Sequence, residues 1–119
     1  MPKEKKTIIL DFDGVIHSYK SGWQGADVIP DPPVENVNSA IQLLRKDFEV
    51  VVHSSRCHQE GGLEAIEDWL IEHEIEVDDV VREKVPAVAI VDDRGINFGG
   101  QWNEKAVNEI KNFKPWTEN

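Results

Sequence analysis

Short apolar runs separated by polar segments make up most of the chain, and each run predicts one element of secondary structure. Continuous β-branched runs are typical of buried strands, whereas apolar residues three and four apart predict helices with one buried face. Proline and glycine mark two predicted helix starts, at Asp31-Pro32-Pro33 and at Gly61-Gly62, and a last helix is predicted over about Trp102–Asn112. The predicted strands are Lys6–Phe12, Phe48–Val52, Val80–Val81 and Ala87–Val91.

The alternation of strands and helices predicts an α/β fold. We expect one domain over residues 1–119, with a small parallel sheet between two helical layers, a three-layer α/β/α arrangement. Such sheets bind ligands at the carboxyl ends of their strands. Three polar clusters follow predicted strands here, at Asp11–Gly14, His53–Arg56 and Asp92–Asp93. The long polar segment from Val15 to Pro33 is predicted to be a functional loop at that edge.

Charge and cysteine content narrow the choice of partners and location. The net charge of −10 disfavours binding to nucleic-acid backbones or anionic membranes, although a terminal phosphate of a nucleic acid stays open as a ligand. The single cysteine, Cys57, excludes an internal disulfide and fits a reducing compartment. The apolar run Ile8–Leu10 is too short for a signal peptide or a membrane span. A cytoplasmic location is therefore expected.

Two pairs of aspartates are the main candidates for chemistry. Asp11 and Asp13 lie two residues apart on a strand, so their side chains point to the same side. Asp92 and Asp93 end another buried strand. Four carboxylates at one sheet edge repel one another unless a hard cation neutralises them, and oxygen ligands suit Mg²⁺. We predict a Mg²⁺ site with these four residues as ligands; the alternative is that each pair ends a strand and begins a turn.

Two further residues are candidates for binding phosphate. Ser54 directly follows a buried strand, where its hydroxyl and the neighbouring backbone N–H groups are placed to hold phosphate oxygens, although a helix or turn cap is the commoner role of a serine at such a position. Lys84 precedes the strand that ends at Asp92 and has no functional meaning taken alone.

Together these segments resemble the four signature motifs of the haloacid dehalogenase superfamily, in the family's order and at the ends of predicted strands. The resemblance covers about Lys6 to Trp116 and is greatest to small members without a cap domain, some of them encoded by bacteriophages. Val15 stands where many family phosphatases have threonine, and the later strand of larger members is missing. The matching segments are Asp11-Phe12-Asp13-Gly14-Val15, Ser54, Lys84 and Val91-Asp92-Asp93, with Gly22-Trp23 and Ile29–Pro33 behind the first.

The resemblance implies a Rossmannoid fold without a cap and a phosphatase that uses Mg²⁺ and an aspartyl-phosphate. Asp11 would be the nucleophile, and Asp13 would protonate the leaving group and then activate water. By analogy the backbone carbonyl of Asp13 also binds the metal, Asp92 is a metal ligand, and Asp93 is a further partner of the metal site.

The resemblance also implies that Ser54 and Lys84 stabilise charge on the phosphoryl oxygens. Whether Arg56 or Arg94 contacts the phosphate stays open, as does the identity of the phosphorylated substrate. Without a cap the site is expected to admit a bulky substrate, such as the phosphorylated end of a polymer. Two other functions remain: a catalytically idle module that senses phosphate or binds protein, and a phosphotransferase. Asp13 favours an enzyme, because a binding module does not need it.

Overall fold

The computed structural model describes residues 4–118, which form an α/β fold around a four-stranded, all-parallel sheet with the strand order β3-β2-β1-β4. The strands are β1 (Lys6–Asp11), β2 (Phe48–His53), β3 (Asp79–Val81) and β4 (Ala89–Val91), and the helices are α1 (Val37–Arg45), α2 (Gly62–Glu72) and α3 (Glu104–Lys111). None of the helices in this part of the chain is long and apolar enough to cross a membrane. The α/β class and the parallel sheet are confirmed.

The central strands β1 and β2 are buried on both faces. Their registers match residue for residue, from Lys6 opposite Phe48 to Asp11 opposite His53. Ile8 and Leu10 join the main hydrophobic core on one face, while Ile9 between them is 1% exposed on the other. A strand covered on both sides needs apolar residues at successive positions, which is why these strands were predictable as continuous β-branched runs.

Helices α1 and α2 cover the same core. Ile41 of α1 and Ile66, Trp69 and Leu70 of α2 belong to one buried cluster with the central strands. Trp69 packs edge-on against Phe12 with 5.1 Å between ring centroids. Helix α3 adds no side chain to this core, since none of its residues is buried. A second helical layer on the opposite face therefore stays a prediction.

Helix α1 begins five residues later than the Asp31-Pro32-Pro33 sequence predicts. The carboxylate of Asp31 accepts hydrogen bonds from the N–H and the hydroxyl of Ser21, at 2.8 and 2.6 Å, and so closes a loop instead of capping a helix. Val34 donates its N–H to the carbonyl of Ile16 at 2.7 Å and remains tied to that loop. The helix starts at Val37, after Asn36 with a left-handed φ of 66°.

Helix α2 begins at Gly62, as predicted. This position requires glycine because it has no room for a side chain. A Cβ atom at Gly62 would lie 1.8 Å from the carbonyl oxygen of Arg56 and 2.6 Å from its carbonyl carbon. Both neighbours are backbone atoms, so relief requires moving the helix away from the 3₁₀ turn Ser55–His58.

We expect Gly62→Ala to lower the free energy of unfolding by about 1–3 kcal/mol or more, since overpacking against backbone atoms forces the chain to shift. Gly99→Ala is the matched control, because no heavy atom lies within 4 Å of a Cβ built there. Urea denaturation measures both variants, and equal stability of the two would show that α2 can move away from Arg56 at no cost.

The topology places a crevice between β1 and β4. From β1 the chain passes to β2 and β3 on one side of the sheet, and β4 then pairs with β1 on the other side. In open parallel sheets ligands bind at such a switch point, beyond the carboxyl ends of the strands. Asp11 ends β1 and Asp92 follows β4, so two of the predicted site residues flank this crevice.

Candidate active site

A cavity of about 220 Å³ lies at this crevice. It is lined by residues from the ends of β1, β2 and β4 and from the loop between β1 and α1, namely Asp11, Asp13, Tyr19, Trp23, Ser54, Ser55, Asp93 and Arg94. A larger cavity of about 410 Å³ is formed by residues 96–110, but none of the predicted site residues lines it. Position and chemistry, not size, identify the candidate site.

Three of the four predicted metal ligands converge. Carboxylate oxygens of Asp11, Asp92 and Asp93 all lie within 4.8 Å of one another. Asp92 Oδ1 accepts the backbone N–H of Arg94 at 2.8 Å, which fixes its orientation. Asp93 Oδ1 is buried and has no hydrogen-bond partner among residues 4–118. A buried, unpartnered carboxylate oxygen beside two other carboxylates fits a hard divalent cation such as Mg²⁺, which prefers oxygen ligands.

Gly14 allows Asp93 to enter this cluster. Its φ is +82°, and a Cβ atom at this position would lie 2.3 Å from Asp93 Oδ2. The chain turns sharply at Gly14, directly after Asp13, and the missing side chain also leaves space for the carboxylate of Asp93. Glycine combines both properties because it lacks the Cβ that disfavours positive φ.

The acidic cluster holds a proton when no cation is bound. Burial first, and then the charge of Asp92 and a hydrogen bond with Asp93, raise the pKa of Asp11 to about 8 against the opposing backbone hydrogen bond of Phe12. The pKa of Asp93 is also raised, chiefly by burial and with a contribution from the charge of Asp92. A divalent cation would replace this proton and allow Asp11 to ionise at neutral pH.

The metal-free protein is expected to gain about 1–3 kcal/mol of unfolding free energy on acidification from pH 8 to pH 5. The pKa of Asp11 is about 8 in the folded protein, against 3.8 for an ordinary carboxyl group such as that of the unfolded chain. Between pH 5 and pH 8 the folded protein therefore binds more protons than the unfolded chain, and it loses stability as the pH rises. Saturating Mg²⁺ should remove or reverse this slope.

Urea unfolding at both pH values, in EDTA and in Mg²⁺, measures the effect. The pKa of Asp13 is lowered, so its contribution is lost only on acidification below the ordinary value of 3.8. The pKa of His53 is lowered, first by burial. Acidification therefore lowers stability through His53, opposite to its effect through Asp11. Asp11→Asn should therefore flatten the metal-free slope, and a metal-free protein that is more stable at pH 8 would contradict the prediction.

Asp13 lies in the cavity, but its carboxylate is outside the acidic cluster. Its Oδ2 accepts from Arg56 Nε and its Oδ1 from His17 Nδ1, each at 2.8 Å. The backbone N–H of Asp31 donates to His17 Nε2 at 3.1 Å, so Nε2 is the acceptor and Nδ1 carries the proton that His17 gives to Asp13. Burial alone would raise the pKa of Asp13, but the hydrogen bonds from His17 and Arg56 outweigh it and lower the pKa.

Arg56 is a structural centre of the loop and does not reach the cavity. Its side chain is 0% exposed. While its Nε binds Asp13, its Nη1 donates to the carbonyl oxygens of Gly25, Ala26 and Val28 at 2.8, 3.0 and 3.1 Å. These carbonyls belong to a loop without helix or strand, which therefore has few backbone partners of its own. In the sequence, Arg56 and Arg94 were equivalent candidates for a phosphate contact or for structural pairing with the abundant acids, and Arg56 proves to be paired with Asp13.

Arg94 and Ser54 remain as candidates for contacting an anion. Arg94 lines the cavity and is more than half exposed, and within residues 4–118 its guanidinium forms one loose ion pair, at 3.8 Å from Glu118. Ser54 Oγ accepts the N–H of Arg56 at 3.1 Å, which caps the 3₁₀ turn and leaves its hydroxyl proton free to donate into the cavity. Both sequence interpretations of Ser54, cap and cavity residue, are thus compatible with its position.

Lys84 lies near this edge of the sheet but is not part of the cavity lining. It is close enough to His53, at the end of β2, for its charge to contribute to the lowered pKa of that imidazole, after burial. Its predicted contact with phosphoryl oxygens stays a prediction.

Two aromatic residues complete the cavity. The predicted functional loop supplies Tyr19 and Trp23, which line its wall. Tyr19 was missed in the sequence, where one tyrosine in a polar segment gives no signal. Its backbone adopts a φ of +58°, a region that bulky residues rarely occupy, and such strain is concentrated at functional sites.

Comparison of the chain with family models, with curated proteins and with solved structures finds no match.

Proposed function

We propose that this chain is a Mg²⁺-dependent phosphatase of the haloacid dehalogenase type, with Asp11 as its nucleophile. The supporting observation is the convergence of Asp11, Asp92 and Asp93 at the switch point of a parallel sheet, in a cavity shared with Ser54 and Arg94. This arrangement joins an oxygen donor set for a cation to a cationic and a hydroxyl group suited to a phosphate.

The proposed reaction has two displacements at phosphorus. Asp11 attacks phosphorus, the bond to the ester oxygen breaks, and that oxygen takes a proton from Asp13 to leave as an alcohol. Water then attacks the phosphorus of the aspartyl-phosphate and gives its proton to Asp13, which releases phosphate and restores Asp11. The bound cation supplies positive charge that offsets the negative charge gathered at the site.

The contacts of Asp13 favour one of its two roles. As a general base it must be ionised, and the hydrogen bonds from Arg56 and His17 stabilise that state. As a general acid it must first gain a proton, which the lowered pKa opposes. The proposed enzyme is therefore better arranged for hydrolysis of the aspartyl-phosphate than for departure of a poor leaving group.

The remaining parts of the proposal concern the setting of the site. We propose a three-layer, capless fold over residues 1–119, a cytoplasmic location, and Arg94 as the residue that contacts the phosphate, with Lys84 as a further cation for the phosphoryl oxygens. The loop between β1 and α1 contains no helix or strand in the described residues, which supports a site open to a bulky phosphorylated substrate.

Release of inorganic phosphate from a panel of phosphomonoesters tests the proposal. We expect turnover with Mg²⁺, none with EDTA, and little with Ca²⁺, whose longer bonds and higher coordination number misplace the attacking carboxylate. Asp47→Asn is the control, because Asp47 is an exposed residue of the turn after α1. Full activity in EDTA would exclude this mechanism.

The same assay separates the two rival functions. An alcohol added as acceptor would divert the phosphoryl group from water to the alcohol in a phosphotransferase. An idle module would bind phosphate without releasing it from any ester.

A further inference from the structure

The wall of the cavity carries a feature that phosphate chemistry alone does not require. Trp23 lines the cavity and is about half exposed, at 48%, although hydrogen bonds on both sides of it fix the loop. The guanidinium carbon of Arg56 lies 4.8 Å from the centroid of its ring, so one face of the indole rests on a buried cation. The exposed half of the ring is left for another contact.

The loop is built to hold Trp23 in this position. Arg56 binds the carbonyls of Gly25, Ala26 and Val28, which lie two, three and five positions after Trp23 in the chain. On the other side of Trp23, Ser21 donates two hydrogen bonds, from its N–H and its hydroxyl, to the carboxylate of Asp31. A loop with this many fixed points keeps an aromatic side chain in place before a ligand arrives, which lowers the entropic cost of stacking on it.

The second aromatic wall residue is also fixed. Tyr19 keeps its left-handed backbone and lies edge-on to the buried ring of His17, with 6.0 Å between centroids. A strained tyrosine in the wall of a cavity is retained only where the surrounding structure holds it. Tyr19 and Trp23 therefore add two aromatic side chains to a lining that is otherwise polar.

The cavity of about 220 Å³ combines both kinds of lining residue, since Ser54 and the carboxylates of Asp11 and Asp13 share it with Tyr19 and Trp23. A ligand that carries a phosphate and a planar ring could therefore contact the polar groups and the exposed part of Trp23 at the same time.

We propose that the substrate is a nucleotide phosphate, with the phosphate and sugar in the cavity and the base stacked on Trp23. This inference rests on the proposed phosphatase function for the phosphate position, but the stacking contact is independent of turnover. Base stacking on an aromatic side chain contributes enough affinity to be measured separately, and it tolerates different bases because each has a π face.

Calorimetric binding to Asp11→Asn protein in Mg²⁺ tests the inference without hydrolysis. Adenosine 5′-monophosphate is expected to bind roughly 5- to 100-fold more tightly than ribose 5-phosphate, and Trp23→Ala in the same background should reduce that ratio to about twofold or less. Trp102→Ala, which changes an exposed tryptophan outside this cavity, should leave the ratio unchanged. The affinity for a 5′-phosphorylated dinucleotide, measured in the same way, shows whether the site prefers the end of a strand to a free nucleotide.

Equal affinity for the nucleotide and the sugar phosphate, no measurable binding of either, or tighter binding of phenyl phosphate than of the nucleotide would each overturn the inference. Hydrolysis by the wild-type protein is measured separately. Turnover without a preference for the base would support the phosphatase proposal and contradict stacking on Trp23. A Trp23-dependent preference without turnover would support the stacking site and contradict the phosphatase proposal.

Discussion

Asp11→Asn is expected to lower phosphatase turnover on the order of 10⁴-fold or more while the protein remains folded, because the substitution removes the attacking oxygen and changes the side-chain volume little. The same change removes one of three acids whose oxygens lie within 4.8 Å. In the absence of metal the variant should therefore be at least as stable as the wild type at pH 8. The measurements are steady-state phosphate release in Mg²⁺ and urea unfolding in EDTA.

The pairing of these two measurements makes the test specific. A general loss of folding would lower both activity and stability, whereas loss of the nucleophile should lower activity in a protein that is at least as stable as the wild type. Asp47→Asn, at an exposed turn, should change neither. Wild-type rates from a well-folded Asp11→Asn protein would end the assignment of Asp11 as nucleophile.

The central strands and the acidic cluster were predictable because each depends on local sequence and simple geometry. Burial on both faces requires an uninterrupted apolar run, and β1 and β2 have one. The aspartates of the cluster directly follow such runs, and neighbouring parallel strands bring their carboxyl ends to one edge. Strand ends therefore indicated the place of the cluster before any contact was known.

The start of α1 and the lack of burial of α3 were not predictable in the same way. Asp31 and its prolines have the composition of a helix start, but a serine ten residues earlier binds the carboxylate instead. Helix α3 has an amphipathic sequence, yet it buries none of its residues. Periodicity shows that a helix has an apolar face and does not show which surface that face meets.

Long-range contacts to backbone atoms were also outside the reach of the sequence. Trp116 Nε1 donates to the carbonyl of Gly14 at 2.7 Å, across 102 positions, and so brings the C-terminal turn to the edge of the site. Arg56 binds three carbonyls of a loop that lies about thirty positions earlier. Backbone carbonyls are present at every residue, so the sequence carries no mark of the ones that will be used.

Arg56→Met is expected to cost about 3–5 kcal/mol of unfolding free energy, because it leaves the partly buried Asp13 carboxylate without its charged partner and three loop carbonyls without their donor. Methionine keeps much of the apolar length of the side chain, so lost packing contributes little to the effect. Activity should fall as well, since Asp13 and the loop that carries Trp23 lose the group that positions them.

Two further substitutions separate charge from geometry. Arg56→Lys keeps the positive charge, but one ammonium group cannot reach both Asp13 and the loop carbonyls as the planar guanidinium does, so its stability and activity should lie between those of wild type and Arg56→Met. Arg45→Met is the matched control: Arg45 also binds two carboxylates, those of Glu76 and Asp78, but at the surface. Surface ion pairs contribute little, so its loss should be much smaller, and urea denaturation of all three variants measures the difference. If Arg56→Met proved as stable as Arg45→Met, the loop would be held by its own short hydrogen bonds, and Arg56 would lose its assigned role in positioning Asp13.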